Sequence, residues 1–412
     1  MKYGLIGERL GHSFSKEVHA ALADYEYELK EISPDELRAF MSVKEFTAIN
    51  VTIPYKEKVI PYLDEISDEA REIGAVNTVV NRGGRLYGYN TDFFGMRSLF
   101  ERLKITIEGR KVAILGSGGT AKTAKAVAKS LGASVILTVS RTEREGAISY
   151  DGLYRDHRDV DIIVNTTPVG MYPDNEGCPV DIDRFTHLSG VLDAVYNPLR
   201  TNLVLCAKEK GIPAEGGLYM LVAQAVYASE IFLGVKYPQG KTEEIYCGVL
   251  SKKENVALIG MPSSGKSTVG KILSDKLGIE LLEIDELVVQ NAGKNIREIF
   301  ATEGEKAFRD LESDIIEHIS LQNGNIISTG GGSILRYENV RRLRRNSKIV
   351  FIDRSPERLI TSEDRPLSSS PEAVRALYDE RYEKYLSAAD LRVSGDQSPE
   401  EVAKEIIGGL RL

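Results

Sequence analysis

The 412-residue chain carries 53 Lys and Arg against 61 Asp and Glu, a formal net charge of −8, and 42% hydrophobic residues. At roughly 100–200 residues per domain, this length implies two or three domains, and no apolar run reaches the roughly 20 residues a membrane span needs. The acidic balance argues against a general nucleic-acid binder, and the dispersed Cys178, Cys206 and Cys247 match neither a zinc-ligand nor a disulfide spacing. Reduced thiols and an N-terminus without a long apolar stretch make a cytoplasmic location the expectation.

In chain order, Tyr3–Ile6 reads as a buried strand and Ser15–Leu22 as a helix with Val18, Ala21 and Leu22 on its apolar face. Tyr25–Leu29, Ala48–Ile53 and Thr78–Val80 read as further strands, and this interleaving predicts a mostly parallel sheet. A second alternation runs through Lys111–Leu115, Ser134–Val139, Asp161–Asn165 and Val191–Asp193, and a helix from Leu218 to about Leu233 closes this half. The segment Tyr246 to Asn255 reads as a short linker. A third alternation follows, with strands at Val256–Ile259, Leu281–Ile284, Asn325–Ser328 and Ile349–Ile352. The basic run 341–345 lies in a helical pattern and reads as a solvated face.

Two glycine-rich turns carry chemistry. Gly260-Met-Pro-Ser-Ser-Gly265-Lys266-Ser267 fits G-x-x-x-x-G-K-S between an apolar strand and a helix patterned by Val269, Ile272, Leu273 and Leu277. In that context backbone N–H groups wrap phosphate, Lys266 reaches the β/γ-phosphates and Ser267 can hold Mg²⁺. The nucleotide loop is completed by Ser263, Ser264, Gly265 and Thr268. Gly116-Ser117-Gly118-Gly119-Thr120-Ala121 fits G-x-G-x-x-A after the strand Lys111–Leu115, the form of a dinucleotide-binding turn. At the end of the next strand an NAD reader places an acidic residue; here stand Ser140, Arg141, Thr142, Glu143 and Arg144. Guanidinium and hydroxyl groups suit a 2′-phosphate, so NADP is expected.

Beyond the P-loop come Leu282-Glu283-Ile284-Asp285, Phe308-Arg309-Asp310-Leu311-Glu312, Gly330-Gly331-Gly332, Arg365-Pro366-Leu367 and Arg381. In this order the segment 255–412 resembles shikimate kinase. The resemblance implies that Asp285 takes the shikimate hydroxyls, that Arg309 and Arg381 pair with its carboxylate beside Gly331, and that Arg365 reaches the nucleotide from a lid. It also implies, on a weaker match, a nucleotide-base contact at Gln397. The chain departs from that family in having Glu283 where an aspartate usually stands, and in an acidic stretch before Arg365.

The first half carries Gly11-His-Ser13-Phe-Ser15, Asn50-Val-Thr52-Ile-Pro-Tyr-Lys56-Glu57, Gly74-Ala-Val-Asn77-Thr78 and Asn90-Thr91-Asp92. Asn165-Thr-Thr-Pro-Val-Gly-Met171, Asp193-Ala194-Val-Tyr196-Asn-Pro198 and Gly216-Gly217 through Gln224 follow. With the cofactor turn, these motifs resemble shikimate dehydrogenase over about residues 1–248. The resemblance implies a catalytic pair, Lys56 and Asp92. It implies substrate binding by Ser13, Ser15, Thr52, Asn77, Asp92, Tyr196 and Gln224, and adds Ala194 and Gly217 to the NADP site.

The expected architecture is α/β throughout: a substrate-binding unit (1–105), a Rossmann NADP-binding unit (106–215) and returning helices (216–248). A linker (249–254) then leads to a P-loop, nucleoside-monophosphate-kinase-like domain (255–412). The implied chemistry is NADPH-dependent reduction of 3-dehydroshikimate followed by MgATP-dependent phosphorylation of shikimate, with small molecules and neither nucleic acid nor membrane as partners. Monomer and homodimer both remain open. An NAD-dependent quinate/shikimate dehydrogenase joined to a kinase for a related polyol acid is one alternative, which Arg141 and Arg144 oppose. A regulatory protein with one inactive half is another, which the presence of Lys56, Asp92, Lys266 and Asp285 opposes.

Overall fold

Apolar runs alternating with amphipathic helices build three sheets. The computed structural model describes residues 1–10, 14–142, 145–359 and 370–412. The expected positions Ser13, Arg144 and Arg365 therefore lie outside the described residues. Contacts group the chain into two units, Met1–Val249 and Leu250–Leu412.

The first sheet contains β1 (Tyr3–Gly7), β2 (Tyr27–Glu31), β3 (Ala48–Val51), β4 (Glu65–Ile66), β5 (Thr78–Arg82) and β6 (Arg85–Tyr89), in the order β2-β1-β3-β5-β6-β4. The helices α1 (Ser15–Leu22) and α2 (Glu36–Val43) make the crossovers that let β2, β1 and β3 run parallel. The expectation of a mostly parallel sheet holds: β2–β1, β1–β3 and β6–β4 are parallel. The β3–β5 and β5–β6 pairs are antiparallel, the second because Gly83 and Gly84, with φ of 61° and 87°, close a two-residue hairpin. α3 (Asp68–Ile73) and α4 (Thr91–Arg102) complete this part.

The second sheet is wholly parallel: β7 (Lys111–Leu115), β8 (Val135–Val139), β9 (Ala147–Ile148), β10 (Ile162–Asn165), β11 (Gly190–Asp193) and β12 (Ala214–Glu215), ordered β12-β11-β10-β7-β8-β9. The order reverses between β7 and β10, the switch point at which doubly wound sheets bind dinucleotides. Helices α5 (Gly119–Ser130), α6 (Tyr150–Asp156) and α7 (Asn202–Glu209) cover its faces, so β7 after Lys111 and β10 up to Asn165 are apolar. The long apolar α8 (Leu218–Leu233) then returns to the first sheet and packs on α4, α1 and β5. Gly95 makes the close α4–α8 approach possible: a Cβ there would lie 2.6 Å from the Met220 carbonyl oxygen.

The expected linker is a helix. α9 runs from Lys241 to Lys253, and only Glu254 separates it from the next strand. Its charged sequence suggests a tether, but Ile245, Tyr246 and Val249 are buried on one face. Glu243 and Glu244 in the first turn and Lys252 and Lys253 in the last complement the helix dipole.

The third sheet, β13 (Asn255–Ile259), β14 (Leu281–Glu283), β15 (Ile326–Ser328), β16 (Ser347–Asp353) and β17 (Leu391–Ser394), is parallel in the order β14-β15-β13-β16-β17. It is flanked by α10 (Lys266–Leu277), α11 (Ile284–Ala292), α12 (Ile296–Thr302), α13 (Gly304–Ile319), α14 (Tyr337–Asn346), α15 (Pro371–Ala388) and α16 (Pro399–Leu410). The basic run in α14 is less solvated than expected. Arg342 pairs with Glu317 at 2.8 Å, Arg344 donates to the Ser387 and Ala388 carbonyls at the end of α15, and Arg345 is buried. Among the described residues no helix is long and apolar enough to cross a membrane.

Candidate active sites

In the unit Met1–Val249, the loop after β3 presents Lys56. Its Nζ lies 2.6 Å from Asp92 Oδ2, and its carbonyl is fixed by the Val76 N–H at 2.8 Å. Asp92 sits in the first turn of α4, whose N-cap Asn90 accepts from the Phe93 N–H and donates to the Ala75 carbonyl. Both members of the pair remain partly open to solvent, so a ligand can reach them.

Beside the pair lies a buried polar cluster. Asn77 Oδ1 accepts from the Thr91 N–H at 2.7 Å and from the Thr78 hydroxyl at 3.1 Å. The Thr91 hydroxyl lies 3.3 Å from Gln224 Oε1, and Asn50 Nδ2 donates to the Thr78 hydroxyl at 3.0 Å. Thus Asn77 and Gln224, expected to bind substrate, belong to one hydrogen-bonded group. Asn50, Thr78 and Thr91 were not singled out, although each lies within a motif already recognised. Ser15 starts α1, and Thr52 follows β3 with its N–H on the Ile6 carbonyl. The Phe14 ring, next to Ser15, stands 5.3 Å from that of Tyr196, which reaches over from the loop after β11. Burial pushes the Tyr196 hydroxyl above its ordinary pKa.

At the switch point, Gly116 has φ of 111°, and a Cβ on it would lie 2.7 Å from the Thr166 hydroxyl. Gly118 and Gly119 face open space, with Ser117 and Thr120 beside them at the N-terminus of α5, as a bound pyrophosphate requires. Gly217 must be glycine, since its Cβ would meet the Ala194 carbonyl oxygen at 2.2 Å. Ser140 is buried, its Oγ accepting from the Thr142 N–H at 3.3 Å, while Arg141 is exposed at the sheet's rim. Asp193 holds this edge together. It accepts from the Thr201 hydroxyl at 2.6 Å, the Val195 N–H at 2.9 Å and Asn165 Nδ2 at 2.9 Å. Complete burial nevertheless pushes its carboxyl up to about 7.

In the unit Leu250–Leu412, the P-loop borders a cavity of about 520 Å³. Ser263, Gly265, Lys266, Ser267 and Thr268 line it together with Glu283, Asp285, Arg309, Gly331 and Arg381. Gly260, Ser263 and Gly265 have φ of 149°, 66° and 97°, the irregular backbone that turns N–H groups toward one point. Lys266 Nζ donates to the Gly260 and Met261 carbonyls at 3.0 and 2.8 Å. Ser264 is buried behind the loop and outside the cavity lining. The Ser267 hydroxyl donates to Glu283 Oε2 at 3.0 Å. The substitution of Glu283 for the usual aspartate thus keeps a carboxylate against the P-loop serine, and the two oxygens suit a hard divalent cation such as Mg²⁺.

Arg309 is aimed by Glu312, whose Oε2 accepts from Nη1 at 2.8 Å and whose Oε1 accepts from the Ser333 hydroxyl at 2.5 Å. Burial raises the Glu312 pKa against the pull of Arg309. Arg381 donates to the Gly331 carbonyl at 3.1 Å, and its buried Nε has no hydrogen-bond partner among the described residues. Tyr385 donates to the same carbonyl. The three glycines have no room for side chains: a Cβ on Gly331 would lie 2.7 Å from the Pro262 ring, and one on Gly332 would lie 2.3 Å from the Arg309 guanidinium. Glu312 and Tyr385 were not assigned roles from sequence. Their signal is helical spacing, three residues after Arg309 and four after Arg381. Gln397 does not reach this cavity; it is exposed, with its amide 3.3 Å from Glu405 Oε2.

These features define a dinucleotide-dependent reductase followed by a P-loop phosphotransferase. Comparison with known proteins specifies both. The family model described as shikimate dehydrogenase substrate binding domain matches residues 5–79, and that described as shikimate kinase matches residues 262–411. An NADP(+) shikimate dehydrogenase of Clostridium perfringens is 40% identical over 268 residues, spanning 59% of this chain and 96% of the relative. One from Halothermothrix orenii is 41% identical, spanning 57% and 91%. Among solved structures, a chorismate mutase/shikimate 5-dehydrogenase fusion protein from Clostridium acetobutylicum superposes with a TM-score of 0.57 and 36% identity, covering 60% of this chain and 96% of that one. Shikimate dehydrogenase 1 of Peptoclostridium difficile gives 0.55 and 35%, covering 60% and 98%. The chain belongs to the shikimate dehydrogenase family, and its C-terminal part is a shikimate kinase domain.

Proposed function

We propose that the chain reduces 3-dehydroshikimate to shikimate and then phosphorylates shikimate on its 3-hydroxyl, with the division of labour falling at the boundary near Val249. The oxygen reduced in the first reaction is the nucleophile of the second. In the first unit NADPH supplies hydride to the ketone carbon, while the Lys56–Asp92 pair delivers a proton to the developing alkoxide. Asn77, Gln224 and Tyr196 orient the ring, and the hydroxyls and N–H groups at the start of α1 receive the carboxylate. Ser140, Arg141 and Arg144 discriminate for the 2′-phosphate.

In the second unit Arg309, aimed by Glu312, and Arg381 hold the shikimate carboxylate. Forked guanidinium donors fit a carboxylate in two-point contact. Asp285 accepts from the ring hydroxyls and places the 3-hydroxyl toward the P-loop. Lys266 neutralises charge on the transferring phosphoryl group, and Ser267 with Glu283 would hold Mg²⁺, which would supply charge neutralisation at the phosphate oxygens. Arg365 contributes from the lid.

The observation that carries this reading is the single cavity in which a P-loop, an acceptor carboxylate and two carboxylate-binding arginines meet. The test is incubation with 3-dehydroshikimate, NADPH and MgATP. NADPH oxidation should depend on 3-dehydroshikimate alone, and shikimate 3-phosphate should form only when ATP is also present. A reaction that halts at shikimate would remove the kinase assignment. An NADH preference would favour the NAD-dependent alternative.

A further inference from the structure

The sheet order divides the kinase cavity. Of the residues assigned to the acceptor, Asp285 and Arg309 follow β14 and Gly331 follows β15, while Arg381 comes from α15 and reaches across to the Gly331 carbonyl. The P-loop follows the central β13. On the opposite flank, directly after β16, stands Arg354. It lines the same cavity, and its Nη1 lies 3.9 Å from the point where a Cβ on Gly265 would stand.

The guanidinium makes no direct ion pair among the described residues, and its Nε is buried without a hydrogen-bond partner among them. The neighbouring carboxylates take their hydrogen bonds from other groups: Asp353 from Tyr378 and Arg392, and Asp396 from the Ser355 N–H and hydroxyl, although Asp396 also feels the Arg354 charge. An arginine held partly out of water beside a phosphate-binding loop, with no direct ion pair among the described residues, is poised for an anion supplied by a ligand.

We propose that Arg354 is a nucleotide-binding residue of the kinase site, contacting the phosphates that ATP and ADP share. This rests on the kinase reading above. The γ-phosphate must face the acceptor at Asp285, on the β14–β15 flank, so a cation on the β16 flank beside Gly265 meets the α- and β-phosphates. Arg354 therefore stabilises bound substrate nucleotide and product nucleotide alike, and its contribution appears in affinity more than in turnover.

The test is ADP binding by calorimetry to the full-length chain in Mg²⁺, with steady-state kinase assays. The first variant is Arg354→Gln, which keeps the stem that packs on Gly395 and removes the charge. ADP affinity should fall about tenfold, the loss of a charge-assisted contact, with an equal rise in KM for ATP. The KM for shikimate and the rate of NADPH-dependent reduction should not change. Arg354→Lys should recover part of the affinity, because the charge returns without the fork. Unchanged ADP affinity in a folded Arg354→Gln protein overturns the proposal, as does a loss confined to shikimate. A wild-type chain that neither binds ADP nor phosphorylates shikimate would instead sink the kinase reading itself.

Discussion

Lys56 shows how a residue's meaning depends on its frame. In isolation it is one of many lysines on an acidic chain; 2.6 Å from Asp92, beside a buried amide and hydroxyl cluster, it has the geometry on which the proposed proton delivery rests. Lys56→Ala should lower the reduction rate by about 10²–10⁴-fold, the usual contribution of a positioned acid–base group, and leave the kinase rate unchanged. Assay of both reactions on one preparation checks this; wild-type reduction would remove Lys56 from the chemistry. The pair was legible because its two motifs are short and local. The clamp at Asp193 was not, because its physics lies in burial. Burial lifts that carboxyl to about 7, against an unfolded value near 3.9, so folding takes up a proton between those pH values. Its contribution to stability is fully present below about pH 4 and is lost as pH rises through 7. Asp193→Asn keeps the shape, with its amide donating to the rotated Thr201 hydroxyl, and is neutral throughout. Relative to this variant, the wild-type transition that NADP⁺ shifts upward should lose melting temperature from pH 5 to pH 8. A pH-independent difference would show that Asp193 does not titrate there.

At the scale of elements, a glycine decides how the reductase site is assembled. α4 carries Asp92 and α8 carries Gln224, and the two meet at Gly95. A Cβ at Gly95 would lie 2.6 Å from the Met220 carbonyl oxygen and 2.9 Å from Gln224 Cβ. On an open helix face Gly→Ala stabilises by up to about 1 kcal/mol, whereas overpacking costs about 1–3 kcal/mol. Gly95→Ala should therefore lower the melting temperature of the reductase unit and reduce kcat/KM for 3-dehydroshikimate, with kinase activity intact. A stabilised, fully active variant would show that α4 and α8 have slack. The parallel strands beside both glycine-rich turns were readable from their apolar runs. The β5–β6 hairpin was missed, although Gly83-Gly84 signals it, because the surrounding alternation suggested crossovers. β17 was missed because it is short and its strand character comes from pairing with β16. The helical form of the connecting segment α9 was not legible because its charges dominate its composition while Ile245, Tyr246 and Val249 do the packing.

At the scale of the whole molecule, the order of motifs was enough to read two consecutive reactions, since each unit carries its own complete set. Consecutive chemistry raises the question of whether shikimate passes between the sites without leaving the protein. Shikimate is an anion, and the chain's net charge of −8 gives no long-range attraction to retain it. The connecting helix α9 carries Glu243 and Glu244 at one end and Lys252 and Lys253 at the other, which is a dipole complement and no sustained basic track. Tethering raises the concentration of one site near the other, but a small molecule diffuses away much faster than a typical turnover of about 10 per second. The intermediate should therefore equilibrate with bulk solvent before it is phosphorylated. The measurement is the coupled reaction from unlabelled 3-dehydroshikimate with excess isotopically labelled shikimate present. The shikimate 3-phosphate should carry label in the same proportion as the mixed shikimate pool, and flux should match that of Lys56→Ala and Lys266→Ala chains mixed together, each supplying the activity the other lacks. Product that stays unlabelled despite the excess would refute free exchange and require a protected route between the two reactions.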